Sequence, residues 1–460
     1  RRPLLPKPAR PRGLCADRPL SDPAVRTAAV RPRLRDGAQP ARTLELAAWG
    51  AALLAAALGA LAAPAVASSW LRLGTLTVAE ATAAIRALGL LFALQFPLYF
   101  YQSALNGAQR QVALSAARAA AATIAAAASV LALIFLEPTG ATLFVTLSGV
   151  ALAQALVLRG LLATVLSHVE PRPARSFAAL MQEREFAAGV ALISITGFLL
   201  TQMDKIVLSR ALPLSAFGYY TLAASAASGL YLAIGPLFNA LFPRFAELLG
   251  AGDLAHLTAL YRSASRALAV LVLAPAGALA FHAHAALFAW TGDAAASEAA
   301  APLLAILLAG TALNGLMHLP YALQLAAGWT GLGARLSLLL IALGLPALVL
   351  LAARFGALGG AAVWAAVNLT YLALGAPLTH RRLLPGITTR WLLLDVGAPA
   401  AAAVSSAATL AALLDSPAAR GAAVVRVAVA LAVAVSAALL CARDTRAWLR
   451  SLASAPVRTR

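Results

Sequence analysis

The sequence is poor in charge and poorer still in acid. Only 12% of its 460 residues are charged, and Asp and Glu together number 17. A soluble globular chain carries about 25% charged residues and about 45–50% apolar ones. Here 62% are hydrophobic and the mean hydropathy is +0.83. Such a chain cannot keep its surface wet, which excludes a soluble enzyme and a disordered scaffold. Cysteine is nearly absent: Cys15 and Cys441 stand at opposite ends, so neither a disulfide framework nor a CxxC metal site is available. His282 and His284 are two apart and share no helix face, and no Cys or carboxylate completes a metal set around them. No Walker A motif binds ATP, no Ser/His/Asp set stands out, and no cofactor is expected. Residues 1–44 are basic and Pro-rich and lack the short apolar core of a cleavable signal peptide.

What remains is apolar runs. A membrane-spanning helix needs about 20 apolar residues, and 460 residues at roughly 35–40 per span and loop give about 12 spans. The runs fall at 45–67, 83–105, 113–136, 141–166, 186–209, 217–242, 267–290, 301–326, 336–353, 357–378, 391–414 and 421–442. They are continuous and twice too long for the alternating strands of a transmembrane β-barrel. The chain therefore reads as an all-α, polytopic membrane protein.

The net charge of +19 would fit a nucleic-acid binder only if it lay on a folded soluble face. Instead the arginines sit in short gaps between spans, where they set topology. Alternate gaps hold Arg110; Arg172, Arg175 and Arg184; Arg244, Arg262 and Arg266; Arg335; and Arg381, Arg382 and Arg390. The C-terminal tail adds Arg443, Arg446 and Arg450 on the same side. The opposite gaps are poor in positive charge, with Arg72, Arg210, Arg354 and Arg420 as exceptions. Both termini are thus expected in the cytoplasm. Two inside gaps are long. Residues 167–185 read as a linker between two bundles, and residues 243–266 as short amphipathic helices along the interface. No outside gap is long enough for a domain.

At the linker the chain becomes familiar. Residues 186–223, FAAGVALISITGFLLTQMDKIVLSRALPLSAFGYYTLA, place Gln202, Asp204 and Lys205 late in an apolar helix, followed by Leu208, Ser209 and the run Phe217 to Tyr220. This resembles the seventh helix and following turn of oligosaccharide flippases, in the superfamily that also holds multidrug exporters and lipid II flippases. Residues 242–266 resemble that family's cytoplasmic loop after the eighth helix. The resemblance implies two six-helix lobes, sometimes with an extra C-terminal pair. Here four spans (45–166) precede the linker. After it come six (186–378), then a C-terminal pair (379–442) and a cytoplasmic tail (443–460). The first two helices of the pattern are missing. In their place stands the stretch 1–44, read as lying outside the fold, through a wrongly chosen start or frame; the alternative is a genuine disordered tail.

Asp204 and Lys205 are the sharpest candidates. An ionisable residue at a span centre costs about 2.5–3.5 kcal/mol on insertion scales, so it normally faces a cavity and has a partner. Adjacent helical residues point about 100° apart, so a tight pair between the two is not expected. Asp204 would bind a coupling cation, proton or sodium. Lys205 would meet substrate phosphates; the alternative is that both lie near the outer interface and Lys205 snorkels. Gln202 is a further candidate, to line the substrate cavity or to hydrogen-bond between helices. Arg86, Arg118 and Arg159 lie within or near apolar runs, and their planar forks suit a lipid pyrophosphate. Head-group contact is the alternative for each, and the favoured one for Arg426. Uncharged residues such as Asn314 and Asn368 are expected to join helices. Pro97, Pro236, Pro275, Pro320 and Pro346 should kink spans, and Gly356 with Gly360 forms a GxxxG packing face.

The expected function is a flippase for polyprenyl-pyrophosphate-linked oligosaccharide. It would work by alternating access of two lobes, as a monomer in the bacterial inner membrane with no nucleic-acid partner. A multidrug exporter would need a more acidic, aromatic cavity. A membrane-embedded polysaccharide polymerase or ligase would need a long outside loop.

Overall fold

The computed structural model describes residues 23–108, 110–166, 184–329, 331–414 and 419–442. Every regular element among them is a helix, and the one extended contact is an isolated parallel bridge between Arg72 and Pro213. The linker residues 167–183, with Arg172 and Arg175, lie outside the described residues, as do the tail 443–460 and Cys15.

The chain divides into two compact units. The first runs to Ser68 and resumes at Leu76; the second holds Ser69–Thr75 and the chain from Ala188 onward. In the first, α1 (Pro23–Ala65), α2 (Val78–Ala93), α3 (Gln95–Gly107), α4 (Gln111–Phe135) and α5 (Gly140–Leu166) form a bundle. Helix α1 starts inside the Pro/Arg-rich stretch: proline is tolerated at a first helical position, and Arg and Ala are good helix formers. A capping box starts α2. The Thr77 hydroxyl accepts from the Glu80 N–H at 3.2 Å, and Glu80 accepts from the Thr77 N–H at 2.8 Å. Helix α5 packs on α2, α3 and α4 around Leu98, Tyr101, Leu105, Leu114, Ala155 and Leu158.

In the second unit, α6 (Arg184–Ala211), α7 (Leu214–Ser228), α8 (Tyr231–Ala251), α9 (Leu254–Phe281), α10 (Ala283–Thr291) and α11 (Ala294–Ala326) lead into a long α12 (Gly331–Leu383). A π-helical turn, Trp391–Gly397, then opens α13 (Ala398–Leu413), and α14 (Arg420–Cys441) follows. Helix α11 is the hub, packed against α7, α8, α9, α10 and α12. The C-terminal pair docks on α9 through small residues: Ala403, Ala430, Ala434 and Ala438 close against Val270, Ala274 and Ala278.

Ten helices among the described residues are long and apolar enough to cross a membrane. At 1.5 Å per residue, the 53 residues of α12 would reach about 80 Å, too long for one crossing of a core about 30 Å thick. The break is at Gly356, whose φ of 59° and ψ of −133° lie in a region that side chains disfavour. Counting α12 twice and adding the 28-residue α6 gives the spans read from the sequence, in the same order. The chain is an all-α, multi-pass membrane protein.

Three local expectations are corrected. Residues 243–266 are not separate interfacial helices. Pro243 lies inside α8, the only break is the left-handed Gly252 (φ 73°), and α9 resumes at Leu254 under the Asp253 cap. The span expected at 267–290 accordingly begins earlier and ends at Phe281, before the short α10. Gly356 and Gly360 do not form one packing face either. Gly356 is the helix break, whereas a Cβ on Gly360 would sit 2.5 Å from Leu208, so only the second is a close approach.

Candidate functional site

Asp204 lies two turns before the end of α6, on the face turned into the second unit. It is 6% exposed, beside Met203 and Leu208, which are also buried. The hydroxyl of Tyr220, fully buried on α7, donates to Asp204 Oδ2 at 2.6 Å. The short turn between α6 and α7 brings together two residues sixteen apart. Oδ1 accepts no hydrogen bond among the described residues. Its nearest cation is Lys205 Nζ at 3.6 Å, an ion pair longer than the 2.7–2.9 Å usual for charge-assisted hydrogen bonds. The 100° separation of neighbours thus prevents a tight pair, as expected, but the four-carbon stem of Lys205 reaches back far enough for contact. Gln202, two residues earlier and therefore about 200° round the helix, is half-buried.

The arginine candidates belong to the first unit and differ in kind. Arg159 Nε donates to Glu45 Oε1 at 2.8 Å, and the buried Tyr101 hydroxyl donates to the same oxygen at 2.8 Å. Trp49 Nε1 in turn donates to the Tyr101 oxygen at 3.0 Å. Arg159 is therefore neutralised within a four-residue chain from α1, α3 and α5. Arg118 donates to Gln102 Oε1, and Arg86 Nε donates to the Ala60 carbonyl at 3.4 Å. Neither has an ion-pair partner among the described residues, and both are exposed, so each keeps its positive charge outward. Arg426 does not reach for head groups alone: its Nε donates to His282 Nδ1 at 2.9 Å.

A second buried carboxylate escaped the sequence reading. Asp395, fully buried on the π-helical turn, receives a two-point clamp from Arg262, Nε to Oδ2 at 2.7 Å and Nη2 to Oδ1 at 3.0 Å. Arg266 adds a longer contact at 3.7 Å. These arginines had been read only as topology signals. Beside them the Tyr261 hydroxyl meets His380 Nε2 at 2.8 Å, and His380 stands edge-on to Trp391. Glu45 and Asp395 both lie in apolar runs, and a lone carboxylate in such a run is itself a signal. Their partners, 114 and 133 residues away, are not legible from spacing. The uncharged residues do join helices, as expected: Tyr231 donates to Asn314 Oδ1 at 2.9 Å, and Asn314 to Asn368 Oδ1 at 2.7 Å.

Apolar helices of spanning length, with carboxylates and arginines paired inside the bundles, define a class, the multi-pass helical membrane proteins. The model of one family within it, described as polysaccharide biosynthesis protein, matches residues 33–291, and the chain belongs to that family. That match begins within the Pro/Arg-rich stretch. Among solved structures the chain is similar to the lipid II flippase MurJ in an inward closed conformation. The TM-score is 0.64 at 12% sequence identity, over 92% of this chain and 88% of that one. At that identity the likeness shows the fold alone. No curated protein sequence matches the chain.

Proposed function

We propose that the protein is a flippase that carries polyprenyl-pyrophosphate-linked oligosaccharide units across the bacterial inner membrane. It does so by alternating access, and the cargo serves O-antigen, lipopolysaccharide or related polysaccharide synthesis. The family membership and a fold shared with a lipid-linked substrate flippase support transport of this kind. The observation that carries the mechanism is Asp204, a buried carboxylate with one oxygen fixed by Tyr220 and the other free of hydrogen bonds among the described residues. That second oxygen is where a proton or sodium ion would bind. Binding there would also weaken the hold on Lys205 Nζ, leaving that cation available to the substrate's phosphates. Arg86 and Arg118, which keep their charge, suit an anionic cargo better than an organic cation. Arg159 is assigned a structural role beside Glu45.

The test is delivery of lipid-linked sugar by the purified protein in proteoliposomes, with proton or sodium gradients imposed. Asp204→Asn keeps the shape and should fold, because removing an intramembrane charge is not costly. Transport should fall by about tenfold or more, the scale of a coupling free energy of about 1–3 kcal/mol, because ion binding no longer favours one state over the other. Wild-type rates with unchanged ion dependence in this variant would make Asp204 structural.

A further inference from the structure

A cavity of about 490 Å³ opens in the second unit, lined by Ser69, Trp70 and Arg72, by Ile206 and Arg210 of α6, and by Val349 of α12, among others. Its size is that of a small-molecule pocket. The local sequence builds it. Residues Val66–Trp70 form a π-helical turn, the kind of widened turn that recurs at functional sites. The chain beyond it is tied to the α6–α7 corner, where the Leu214 N–H donates to the Arg72 carbonyl at 3.1 Å. Trp70 Nε1 donates to Ser209 Oγ at 3.1 Å, and the Arg210 guanidinium lies 5.1 Å from the Trp70 ring centre. The indole thus positions the Arg210 guanidinium, and the backbone bridge holds the main chain of Arg72 at the same corner.

Two further observations give the pocket a ligand chemistry. Arg72 and Arg210 are both exposed, and no carboxylate lies within ion-pair distance of either among the described residues. Both also fall in gaps expected on the side poor in positive charge, so topology does not account for them. We infer that this pocket is a phosphate-binding site at the outer membrane interface, which takes the phosphate ester of a lipid head group. Guanidinium forks match phosphate oxygens in a two-point geometry. The apolar side chains of Ile206 and Val349 leave room for the first carbons of the lipid. The inference is independent of which cargo is transported.

The experiment uses the full chain in nanodiscs of phosphatidylcholine with a minor share of phosphatidylglycerol, with lipid retention read by native mass spectrometry after transfer to detergent. A parallel arm titrates inorganic phosphate and pyrophosphate and reads thermal unfolding. The wild-type protein should retain phosphatidylglycerol, and Arg72→Gln with Arg210→Gln should lose about tenfold or more of it, as expected from removing two charge-assisted contacts. Arg335→Gln removes a charge elsewhere and should change nothing, and matched unfolding curves show that each variant is folded. Stabilisation by soluble phosphate that vanishes in the double variant, with no lipid retained, would keep the anion site and assign it to a free anion. Equal retention in the double variant and the wild type, with no response to phosphate in either, would overturn the site. A loss confined to Trp70→Ala with both arginines neutral in effect would overturn it as well.

Discussion

At the residue scale, exposure decides which ion pair matters. Arg159 and Glu45 meet at 2.8 Å, but the arginine side chain is 61% exposed. Pairs of this kind contribute about 0–1 kcal/mol, and the buried Tyr101 is the more important partner of Glu45. Arg262 and Asp395 meet at a similar distance with the carboxylate wholly buried and the arginine 20% exposed. Removing one partner of a buried pair strands the other, at about 3–5 kcal/mol. Arg262→Ala should therefore lower stability by about that amount, less whatever Arg266 recovers from its 3.7 Å position. Detergent-solubilised protein followed by thermal unfolding would read the effect. Arg262→Ala combined with Asp395→Asn should restore much of the loss, because the stranded charge is gone. A single variant as stable as the wild type would show that Asp395 does not depend on Arg262.

At the scale of elements, the breaks matter more than the helices. Gly356 turns one helix of 53 residues into two spans, with φ 59° and ψ −133°. A side chain at such backbone angles costs of order 1–3 kcal/mol, so Gly356→Ala should destabilise by about that much. Gly356→Asn should do little better, because ψ lies outside the left-handed well that asparagine tolerates. Unfolding curves of the two variants, compared with the wild type, check the order. The other instructive break is the Gly252–Asp253 corner between α8 and α9. Asp253 Oδ1 accepts from the His256 N–H at 3.1 Å, and Oδ2 lies 2.7 Å from the His256 ring. The backbone N–H of His256, chiefly, holds the Asp253 carboxyl below its ordinary value of 3.8. Its folded pKa is thus the lower one, so the cap's charge stabilises the fold above pH 3.8 and that contribution fades as pH falls through the folded value. Asp253→Asn keeps the acceptor and removes the titration. The gap in melting temperature between wild type and variant should be open at pH 7 and narrow as the pH falls below 3.8; a gap that does not narrow there would point to packing instead.

The same breaks show what sequence can and cannot reveal. Order and number of spans were legible because a bilayer imposes length and apolarity on every crossing. The continuity of α8 and α9 past residues 243–266 was not, since an amphipathic stretch has the same period whether it lies on a membrane or prolongs a span into the bundle. Asp204 stood out as a charge in an apolar run, and the motif around it also holds Tyr220, but the hydrogen bond between the two was not read from it. Arg159 stood out equally, yet its neutralisation by Glu45 needs two helices to meet 114 residues apart. Local periodicity carries no information about that.

At the scale of the whole molecule, charge and anchoring give one consistent account of orientation. The basic gaps alternate with poor ones, and the four exceptions each have a local tie. Arg420 donates from Nε to the Ala289 carbonyl at 3.1 Å and from Nη2 to the Trp290 carbonyl at 3.0 Å, capping the end of α10. Arg210 lies over Trp70, Arg354 over Phe355, and the Arg72 carbonyl is held by Leu214. These four are outnumbered by the arginines of the basic gaps, so the overall bias is kept. On that bias Arg110, Arg335 and Arg382, the last with its guanidinium 4.3 Å from the Trp329 ring centre, are expected in the cytoplasm. Cysteine labelling in intact cells, one introduced site at a time in a background with Cys15→Ser and Cys441→Ser, would check this. Sites at Pro138 and Ala295 should react with an impermeant maleimide added outside, and sites at Arg110, Arg335 and Arg382 should react only after the membrane is opened. If Ala295 were shielded while Pro138 reacted, the second unit would be inverted relative to the charge count. Arg72 and Arg210 would then lie beside the cytoplasm, where positive charge needs no ligand to explain it.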